Sequence, residues 1–388
     1  MVAISATTAT TLPVFLTGAL AVQVRHELGF SLSELGILVA VYFGSAALVS
    51  IIAGSFAERF GGEIIMRGAV LIAAATLVSI AFFAHSFLVM LGLLIVAGIA
   101  NGANQPAVNI FVIGAVSPNR RGFALGVKQA AIPVSTLLSG LAVPSIALTV
   151  GWRYAYLFAS IFSILIAASI PFTSSRAQRS ADAKNKIRPK IALAPIITLA
   201  LAIGLGVGVA NALGAFLVTN AVHEHFTPGD AGLLAALGSA SGLVSRLLGG
   251  YMADRRTGKH LVVIAAMLGV GALGYEGFAL SNRALVIPAT IICYAVGWGW
   301  NGVFNFAIVV THPGAEGRAT GTTQAGAYVG SVLGPIAFGW VVDHWSFQVA
   351  WTLSAIIVLI AAALMLLGRY LLLNRRADTD ALIISNAD

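Results

Sequence analysis

Apolar runs that are long enough to cross a membrane recur along the whole of this chain. A helix needs about 20 predominantly apolar residues to span ~30 Å of hydrocarbon. Of the 388 residues, 59% are hydrophobic and 9% are charged, whereas soluble domains carry roughly 25% charged residues. The alternating segments typical of an outer-membrane barrel are missing. The sequence therefore predicts an all-α integral membrane protein.

The expected fold has twelve transmembrane helices. They cover residues 4–24, 32–56, 64–84, 87–115, 121–148, 153–172, 192–221, 229–253, 260–281, 284–311, 317–341 and 348–373. The first run starts at Met1 without a basic leader, so no cleaved signal peptide is expected. Cys293 is the single cysteine, which excludes an internal disulfide.

The distribution of Lys and Arg predicts the orientation of the chain. If both termini are cytoplasmic, the inside segments hold most of the cations, and the outside segments keep only Arg25, Arg153 and Arg283. Cytoplasmic loops are enriched in these residues. We therefore expect both termini in the cytoplasm and a location in the inner (plasma) membrane. This topology accounts for the net charge of +8, so no nucleic-acid partner is expected.

The two halves of the chain align with one another. A shift of 196 residues places Gly18 on Gly214 and Phe30 on Phe226. Agreement over most of both halves indicates an internal duplication. The expected domains are a six-helix bundle at 1–172, a cytoplasmic linker at 173–191, a second six-helix bundle at 192–373 and a cytoplasmic tail at 374–388.

A polar turn that contains glycine joins two apolar runs at corresponding places in both halves. From Gly54 it reads Gly-Ser-Phe-Ala-Glu-Arg-Phe-Gly, and from Gly250 it reads Gly-Tyr-Met-Ala-Asp-Arg-Arg-Thr-Gly-Lys. Together with the six-plus-six layout and the basic linker, these turns resemble those of the major facilitator superfamily of secondary transporters, whose hairpin pattern is Gly-x-x-x-Asp-Arg-x-Gly-Arg-Lys. Gly62 and Glu63 replace the basic pair in the first copy, and one residue is inserted in the second.

The resemblance implies a gate at the cytoplasmic ends of the helices. A carboxylate at the end of one helix can pair with a guanidinium or with the amino end of a neighbouring helix, and so hold the ends closed until the halves rock apart. The candidate gating residues are Gly54, Glu58, Arg59, Gly250, Asp254 and Arg255. The alternative is that the arginines only anchor the topology.

The resemblance also implies a central cavity lined by spans 1, 2, 4, 5, 7, 8, 10 and 11. Intramembrane Asn, Gln, Lys and Arg residues fall on these spans, where polar groups need a wet environment. Lys128 and Arg246, one in each half, have no carboxylate close to them within their own spans. An incoming anion is a natural counter-ion, with Arg246 as a planar fork and Lys128 as a point charge. The candidate substrate-binding residues are Lys128, Arg246, Gln129, Asn101, Gln105, Asn301, Asn305, Gln324, Tyr294 and Trp298.

The predicted function is secondary active or facilitative transport of a small organic or inorganic anion by rocker-switch alternating access. The placement of one cation in each half is similar to the small-anion branches of the superfamily, such as cyanate, nitrate and oxalate carriers. Because no Asp or Glu lies in the interior of the cavity spans, exchange or facilitated diffusion is favoured, with protons or a counter-anion left open as coupling partners. The expected setting is a monomer in the lipid bilayer, without a cofactor or a metal.

Several alternatives stay open at this stage. Lys128 can snorkel to the headgroups, and the polar residues can serve helix packing. One functional alternative is proton-coupled efflux of drugs or other amphiphiles, although Gly98 stands where the drug-antiporter pattern has an arginine. Another is a non-transporting sensor or assembly factor on the same scaffold. No enzyme is expected, since the chain has no phosphate-binding loop and no cluster of metal ligands.

Overall fold

The computed structural model of the chain describes residues 1–115, 127–171, 193–255, 258–312 and 315–385. Within these ranges the chain forms helices and no strand. The helices are α1 (Val2–Ala19, continued after Leu20 as Ala21–Leu28), α2 (Leu32–Phe60), α3 (Gly62–Phe83), α4 (Phe87–Ala115), α5 (Ala131–Ala142, continued as the π-helical turn Val143–Ala147), α6 (Trp152–Ser169), α7 (Leu193–His223), α8 (Pro228–Arg255), α9 (His260–Ala279), α10 (Arg283–Ile292, continued through the π-helical turn Cys293–Trp298 into Asn301–Thr311), α11 (Glu316–His344) and α12 (Phe347–Ser385).

The predicted all-α membrane fold is confirmed. In the described ranges, eleven helices are long and apolar enough to span a membrane, and Ala131–Ala147 forms a shorter apolar helix. Most boundaries agree with the predicted spans to within a few residues, because the length of an apolar run sets the length of the helix. The predicted linker at 173–191 and the first residues of the predicted fifth span lie outside the described ranges.

Two helices differ from the prediction, one by an interruption and one by its length. The first span is interrupted at Leu20 and resumes at Ala21, where a single continuous span was expected. The last helix continues past residue 373, the predicted end of its span, as far as Ser385. Residues 374–380 are mostly polar and charged, so hydropathy marks where the span leaves the hydrocarbon but does not require the helix to stop there.

Each six-helix bundle has a pair of packed helices on its flank, and the two bundles meet along two further pairs. Helix α3 packs on α6, and α9 packs on α12. Across the molecule, α2 packs on α11 and α5 packs on α8. Helices α1 and α7 also cross closely, since a Cβ atom added at Gly18 would lie 2.9 Å from the Cα atom of Ala215.

The bundles are tightly joined on one side of the membrane and diverge toward the other. We call the joined side outer and the opposite side inner, following the orientation predicted from charge. A Cβ atom at Gly36 would lie 2.3 Å from the carbonyl oxygen of Pro335, whereas one at Gly44 would lie 3.6 Å from the nearest atom of Val332. Near the inner end of α11, a Cβ atom at Gly321 would have no neighbour within 4 Å. The structure is therefore closed on the outer side.

Candidate functional site

Lys128 lies inside the first bundle in a cage of amide oxygens. The side chain is 6% exposed. Its Nζ donates to Gln105 Oε1 at 2.8 Å and to Asn109 Oδ1 at 2.9 Å, with the Gln105 carbonyl oxygen at 3.4 Å. An ammonium group has three donors, so these three neutral oxygens satisfy it. We call Lys128, Gln105 and Asn109 the lysine cage.

The lysine cage is held in place by a chain of hydrogen bonds that reaches α1. Gln105 Nε2 donates to Asn101 Oδ1 at 3.2 Å, and the hydroxyl of Thr10 donates to the same oxygen at 3.4 Å. Asn104 Nδ2 donates to the Thr10 hydroxyl at 3.2 Å. Because each amide is fixed by its neighbour, the Gln105 oxygen is directed toward Lys128.

Arg246, on α8, connects the two bundles. Its side chain is 7% exposed. One terminal nitrogen donates to the carbonyl oxygen of Gln129 in the first bundle at 2.6 Å, and the other donates to the carbonyl oxygen of Trp298 at 3.4 Å. The guanidinium carbon lies 5.9 Å from the centre of the Trp298 ring. We call this set of contacts the arginine bridge.

Both acceptors of the arginine bridge are backbone carbonyl oxygens. In a regular helix each would accept a hydrogen bond from the N–H group four residues later. The carbonyl of Gln129 would normally accept from the N–H group of residue 133, but residue 133 is a proline and has no N–H group. The carbonyl of Trp298 would normally accept from Gly302, whose N–H group instead donates to Gly299 at 3.2 Å after the π-helical turn. Arg246 therefore satisfies two carbonyls released by helix irregularities.

Neither cation is neutralised by an acidic side chain. Among the described residues, Lys128 and Arg246 form no ion pair with a carboxylate, and their acceptors are amide and carbonyl oxygens. A buried charge without a counter-ion is costly. The lysine cage uses all three donors of Lys128, whereas the arginine bridge uses two of the five N–H donors of a guanidinium. Arg246 thus keeps spare donors for a further acceptor.

Four other predicted residues of the second bundle lie on α10, which contacts Arg246. A Cβ atom at Gly302 would lie 3.7 Å from the Arg246 side chain. Its sequence neighbours Asn301 and Asn305 are half-buried, and their side chains have no hydrogen bond within the described residues. Tyr294 and Trp298 are buried, with their rings 5.5 Å apart. The Trp298 ring thus lies beside the guanidinium, and the stretch of α10 that carries the two asparagines approaches Arg246 at Gly302.

Three of the predicted residues make no side-chain hydrogen bond to either cation within the described residues. Gln129 is half-buried and contributes its backbone carbonyl. Gln324, on α11, is exposed and makes no side-chain hydrogen bond within the described part of the chain. Asn101 contacts Gln105 and Thr10 rather than Lys128.

The predicted gating residues are described in the first copy of the motif only. Gly54 is half-buried, and Glu58 and Arg59 are exposed. Within the described ranges neither Glu58 nor Arg59 forms an ion pair, and Arg59 lies over the ring of Phe60. In the second copy, only the backbone of Gly250, Asp254 and Arg255 belongs to the described part of the structure.

The structure adds residues that were not predicted as part of the site. Asn109, four residues after Gln105 on α4, is not among the predicted binding residues but accepts a hydrogen bond from Lys128. Thr10, Asn104 and Tyr42 also belong to the network, since Tyr42 donates its hydroxyl to the Thr10 carbonyl at 2.8 Å. The available signal is the run Thr7-Thr8-Ala9-Thr10-Thr11 within the apolar first span.

A large cavity lies apart from the two cations. It has a volume of about 680 Å³ and lies between α8, α9 and α10. Its walls are mainly apolar, and its polar side chains are Ser241, Ser245 and His260. Its residues are drawn from the second bundle alone, so it does not join the lysine cage to the arginine bridge.

Two six-helix bundles joined at one side, with polar groups near the centre, form the architecture of a secondary transporter. A family model of the Major Facilitator Superfamily matches residues 2–323 and, in a second match, residues 199–382. The chain belongs to this superfamily and is a multi-pass membrane transporter.

Individual relatives are similar at low identity. The chain is 26% identical over 342 residues, 84% of each chain, to the probable nitrate/nitrite transporter NarK2 of Mycobacterium tuberculosis. It is 27% identical over 138 residues, 34% of this chain and 25% of the relative, to the probable anion transporter 2, chloroplastic, of Oryza sativa subsp. japonica. A solved bacterial homologue of the human lysosomal transporter Spinster superposes with a TM-score of 0.74 and 15% identity, covering 95% of this chain and 96% of that one. The last likeness shows the fold alone.

Proposed function

We propose that the chain transports a small anion and that Arg246 is its main binding group. The observation that carries this proposal is a buried guanidinium that has spare donors and no carboxylate partner among the described residues. A planar guanidinium fork matches the two oxygens of nitrate, nitrite or a carboxylate. Two of the relatives, a probable nitrate/nitrite transporter and a probable anion transporter, support this class of substrate.

In this proposal Lys128 contributes charge rather than direct contact. The lysine cage already satisfies its three donors, so an anion that bound Lys128 directly would have to displace an amide oxygen. The positive charge still raises the local concentration of anions in a low-dielectric site. Asn301 and Asn305, which are half-buried and lie on either side of Gly302 in the sequence, the α10 residue next to Arg246, are proposed to donate further hydrogen bonds to the anion.

The proposed transport cycle uses the contact between the bundles. The arginine bridge joins α8 to the carbonyl of Gln129. An anion that bound the same guanidinium would change this hydrogen bond between the bundles. Alternating access then follows from rocking of the bundles about the site. We further propose a plasma-membrane location with both termini and the Glu58–Arg59 hairpin on the cytoplasmic side, as the distribution of Lys and Arg predicts.

The test is uptake of nitrate, nitrite, formate and oxalate by the full chain in reconstituted vesicles. A hydrogen bond to a charged group contributes about 1.5–3 kcal/mol, which corresponds to roughly tenfold to a hundredfold in affinity. Arg246→Ala is therefore expected to raise the KM for the transported anion by at least about tenfold. Arg246→Lys should recover only part of that loss, because it keeps the charge but not the fork.

The matched control is Arg283→Gln, which removes the same charge from an exposed arginine that lies over the Phe226 ring. It should transport like the wild type. Wild-type uptake by a folded Arg246→Ala variant would reject Arg246 as the binding group. Failure of the wild type to take up any anion of the panel would reject the proposed substrate class.

The apolar cavity between α8, α9 and α10 favours a second candidate, export of amphiphiles. Its volume of about 680 Å³ falls within the range of roughly 300–1,000 Å³ typical of sites for drug-sized ligands. Efflux of a neutral fluorescent amphiphile from the same vesicles separates the two functions. Transport of the amphiphile that survives Arg246→Ala would support the second candidate.

A further inference from the structure

A pocket at the outer side lies where the two bundles meet and is separate from both cations of the central site. It has a volume of about 530 Å³, within the usual range of roughly 300–1,000 Å³ for small-molecule sites. Its walls come from α1 and α2 of the first bundle and from α7 and α12 of the second. The side chains that matter here are Arg25, His26, Phe30, Thr219, His223 and Phe347. We call it the outer seam pocket.

Arg25 supplies a cation with unused donors to the outer seam pocket. Its Nε donates to the carbonyl oxygen of Phe30 at 3.0 Å, which fixes the plane of the guanidinium. Its terminal nitrogens have no hydrogen bond to any described residue. A guanidinium held by Nε presents its two terminal nitrogens as a fork, the geometry that suits a carboxylate.

The two carboxylates that act on Arg25 accept hydrogen bonds from backbone N–H groups. Asp343 and Glu34 act electrostatically on Arg25, but neither forms an ion pair with it in the described structure. Asp343 accepts the N–H groups of Leu32 at 3.2 Å and Ser33 at 2.6 Å. Glu34 accepts the N–H group at the amino cap of α2 at 2.7 Å. The positive fork of Arg25 therefore stays available to a ligand.

Thr219 supplies a buried hydroxyl group without a partner. The side chain is 8% exposed and lines the outer seam pocket, and its Oγ1 makes no hydrogen bond to the described residues. Thr17, by contrast, donates to the carbonyl of Pro13 four residues earlier at 2.8 Å. A buried hydroxyl without a partner is destabilising, and a hydrogen bond to a ligand would offset that cost.

The equivalent position of the first bundle also carries buried polar atoms that have no hydrogen-bond partner among the described residues. The shift of 196 residues that relates the halves places Gln23 on Thr219. Both amide atoms of Gln23 are buried and have no hydrogen bond within the described residues. Protein contacts alone therefore leave polar groups unsatisfied on both helices of this seam.

We propose that the outer seam pocket binds a carboxylate that carries a compact apolar body. The terminal N–H groups of Arg25 and the hydroxyl of Thr219 donate to the carboxylate. The rings of Phe30 and Phe347 enclose the apolar part, and His223, 5.2 Å from Phe347 between ring centres, extends this wall. Because both bundles contribute, the bound ligand stabilises the closed outer side and selects that state over one in which the bundles part there.

Benzoate is the probe, and the readout is thermal stabilisation of the full chain in detergent at about pH 7, titrated to give an affinity. Benzoate is expected to stabilise the wild type and Arg283→Gln equally, since Arg283 is exposed and does not line the pocket. Arg25→Gln should weaken binding by about tenfold or more, and Thr219→Val by roughly threefold to tenfold, the loss of one hydrogen bond. Thr219→Ser should bind like the wild type.

Arg246→Gln separates the two sites, because Arg246 does not line the outer seam pocket; it should weaken the binding of benzoate less than Arg25→Gln does. Loss of binding in Arg246→Gln with retention in Arg25→Gln would overturn the proposal, as would the absence of any shift in the wild type. Equal affinity in the wild type, Arg25→Gln and Thr219→Val would also overturn it. If Arg25→Gln does not fold, the comparison of Thr219→Val with Thr219→Ser decides. Because this readout measures binding and not uptake, it is independent of the anion-transport proposal.

Discussion

Lys128 and Arg246 are both buried cations, but the groups that hold them differ in kind. The lysine cage is built from side-chain amides of α4 and lies within one bundle. The arginine bridge uses backbone carbonyls and crosses from one bundle to the other. A cage within one rigid bundle keeps its contacts when the bundles move, whereas a bridge between bundles has to break or re-form. The first bundle thus holds a fixed charge, and the second holds a charge that responds to the conformation.

The strongest test of this contrast is removal of the lysine cage, because its acceptors are side chains that mutation can delete. Gln105→Leu combined with Asn109→Leu leaves an ammonium group buried without its two closest acceptors. Breaking such an arrangement costs about 3–5 kcal/mol, so we expect a marked fall in the melting temperature of the purified protein. Adding Lys128→Met to the double variant should restore most of the stability, since the buried ammonium group is then removed.

The matched control for the lysine cage is Gln23→Leu. It makes the same kind of change at an amide whose atoms are buried but have no described hydrogen bond, so it should not reduce the melting temperature. A double variant that melts like the wild type would show that Lys128 does not depend on Gln105 and Asn109. The interpretation of Lys128 as a fixed charge held by the lysine cage would then be rejected.

A smaller effect is expected from Arg246→Gln on the balance between outer-closed and outer-open states. Loss of a charged hydrogen bond of about 1.5–3 kcal/mol should raise the outer-open population by roughly tenfold to a hundredfold. Lys128→Gln should leave the balance unchanged, because the lysine cage lies within one bundle. Spin labels at Val150→Cys and Leu280→Cys, both exposed near the outer side, report the distance between the bundles.

The labelling is selective because the single natural cysteine, Cys293, is buried. Equal distance distributions for the wild type and Arg246→Gln would remove the arginine bridge as a conformational contact. A shift of the same size in Lys128→Gln would erase the distinction between the two cations. Either outcome can be read without any knowledge of the substrate.

The sequence predicts the helices well and the contacts of the cations only in part. The spans follow from the lengths of the apolar runs, as for α2, which was expected at 32–56 and is observed as Leu32–Phe60. The polar face of Asn101, Gln105 and Asn109 follows from helical spacing. What spacing does not reveal is that this face turns to Lys128, since that depends on the rotation and position of two helices that the packing of the whole bundle sets.

The acceptors of Arg246 show a different limit. One of them has a sequence signal, because Pro133 lies four residues after Gln129 and cannot donate to its carbonyl. The other depends on the π-helical turn Cys293–Trp298, a local change of winding that no residue in that stretch predicts in an obvious way. Side-chain chemistry can be read from sequence, but a carbonyl released by irregular winding becomes visible only in the folded backbone.

The smallest expected effect extends the comparison of the bundles to their outer ends. In the first bundle Glu27 accepts hydrogen bonds from Trp152 and Arg153. In this part of the chain a shift of 195 residues relates the halves and places Arg153 on Gln348. Gln348 donates instead to the neutral Ser281 hydroxyl at 2.6 Å. Desolvation raises the pKa of Glu27, but the hydrogen bonds from Trp152 and Arg153 together with nearby positive charge lower it below its ordinary value of 4.5.

Glu27→Gln should therefore destabilise the protein in a manner that depends on pH, whereas Gln348→Ala should not. Glu27 is 47% exposed, so the effect at neutral pH is about 0.2–1 kcal/mol. A lowered folded-state pKa means that this stabilisation is fully present above about pH 4.5 and is lost as the pH falls through the folded-state pKa. Melting curves of both variants and the wild type from about pH 7 to pH 3 measure it. A difference between Glu27→Gln and the wild type that stays constant over this range would mean that the carboxylate charge contributes nothing, and that the outer ends of the two bundles are equivalent.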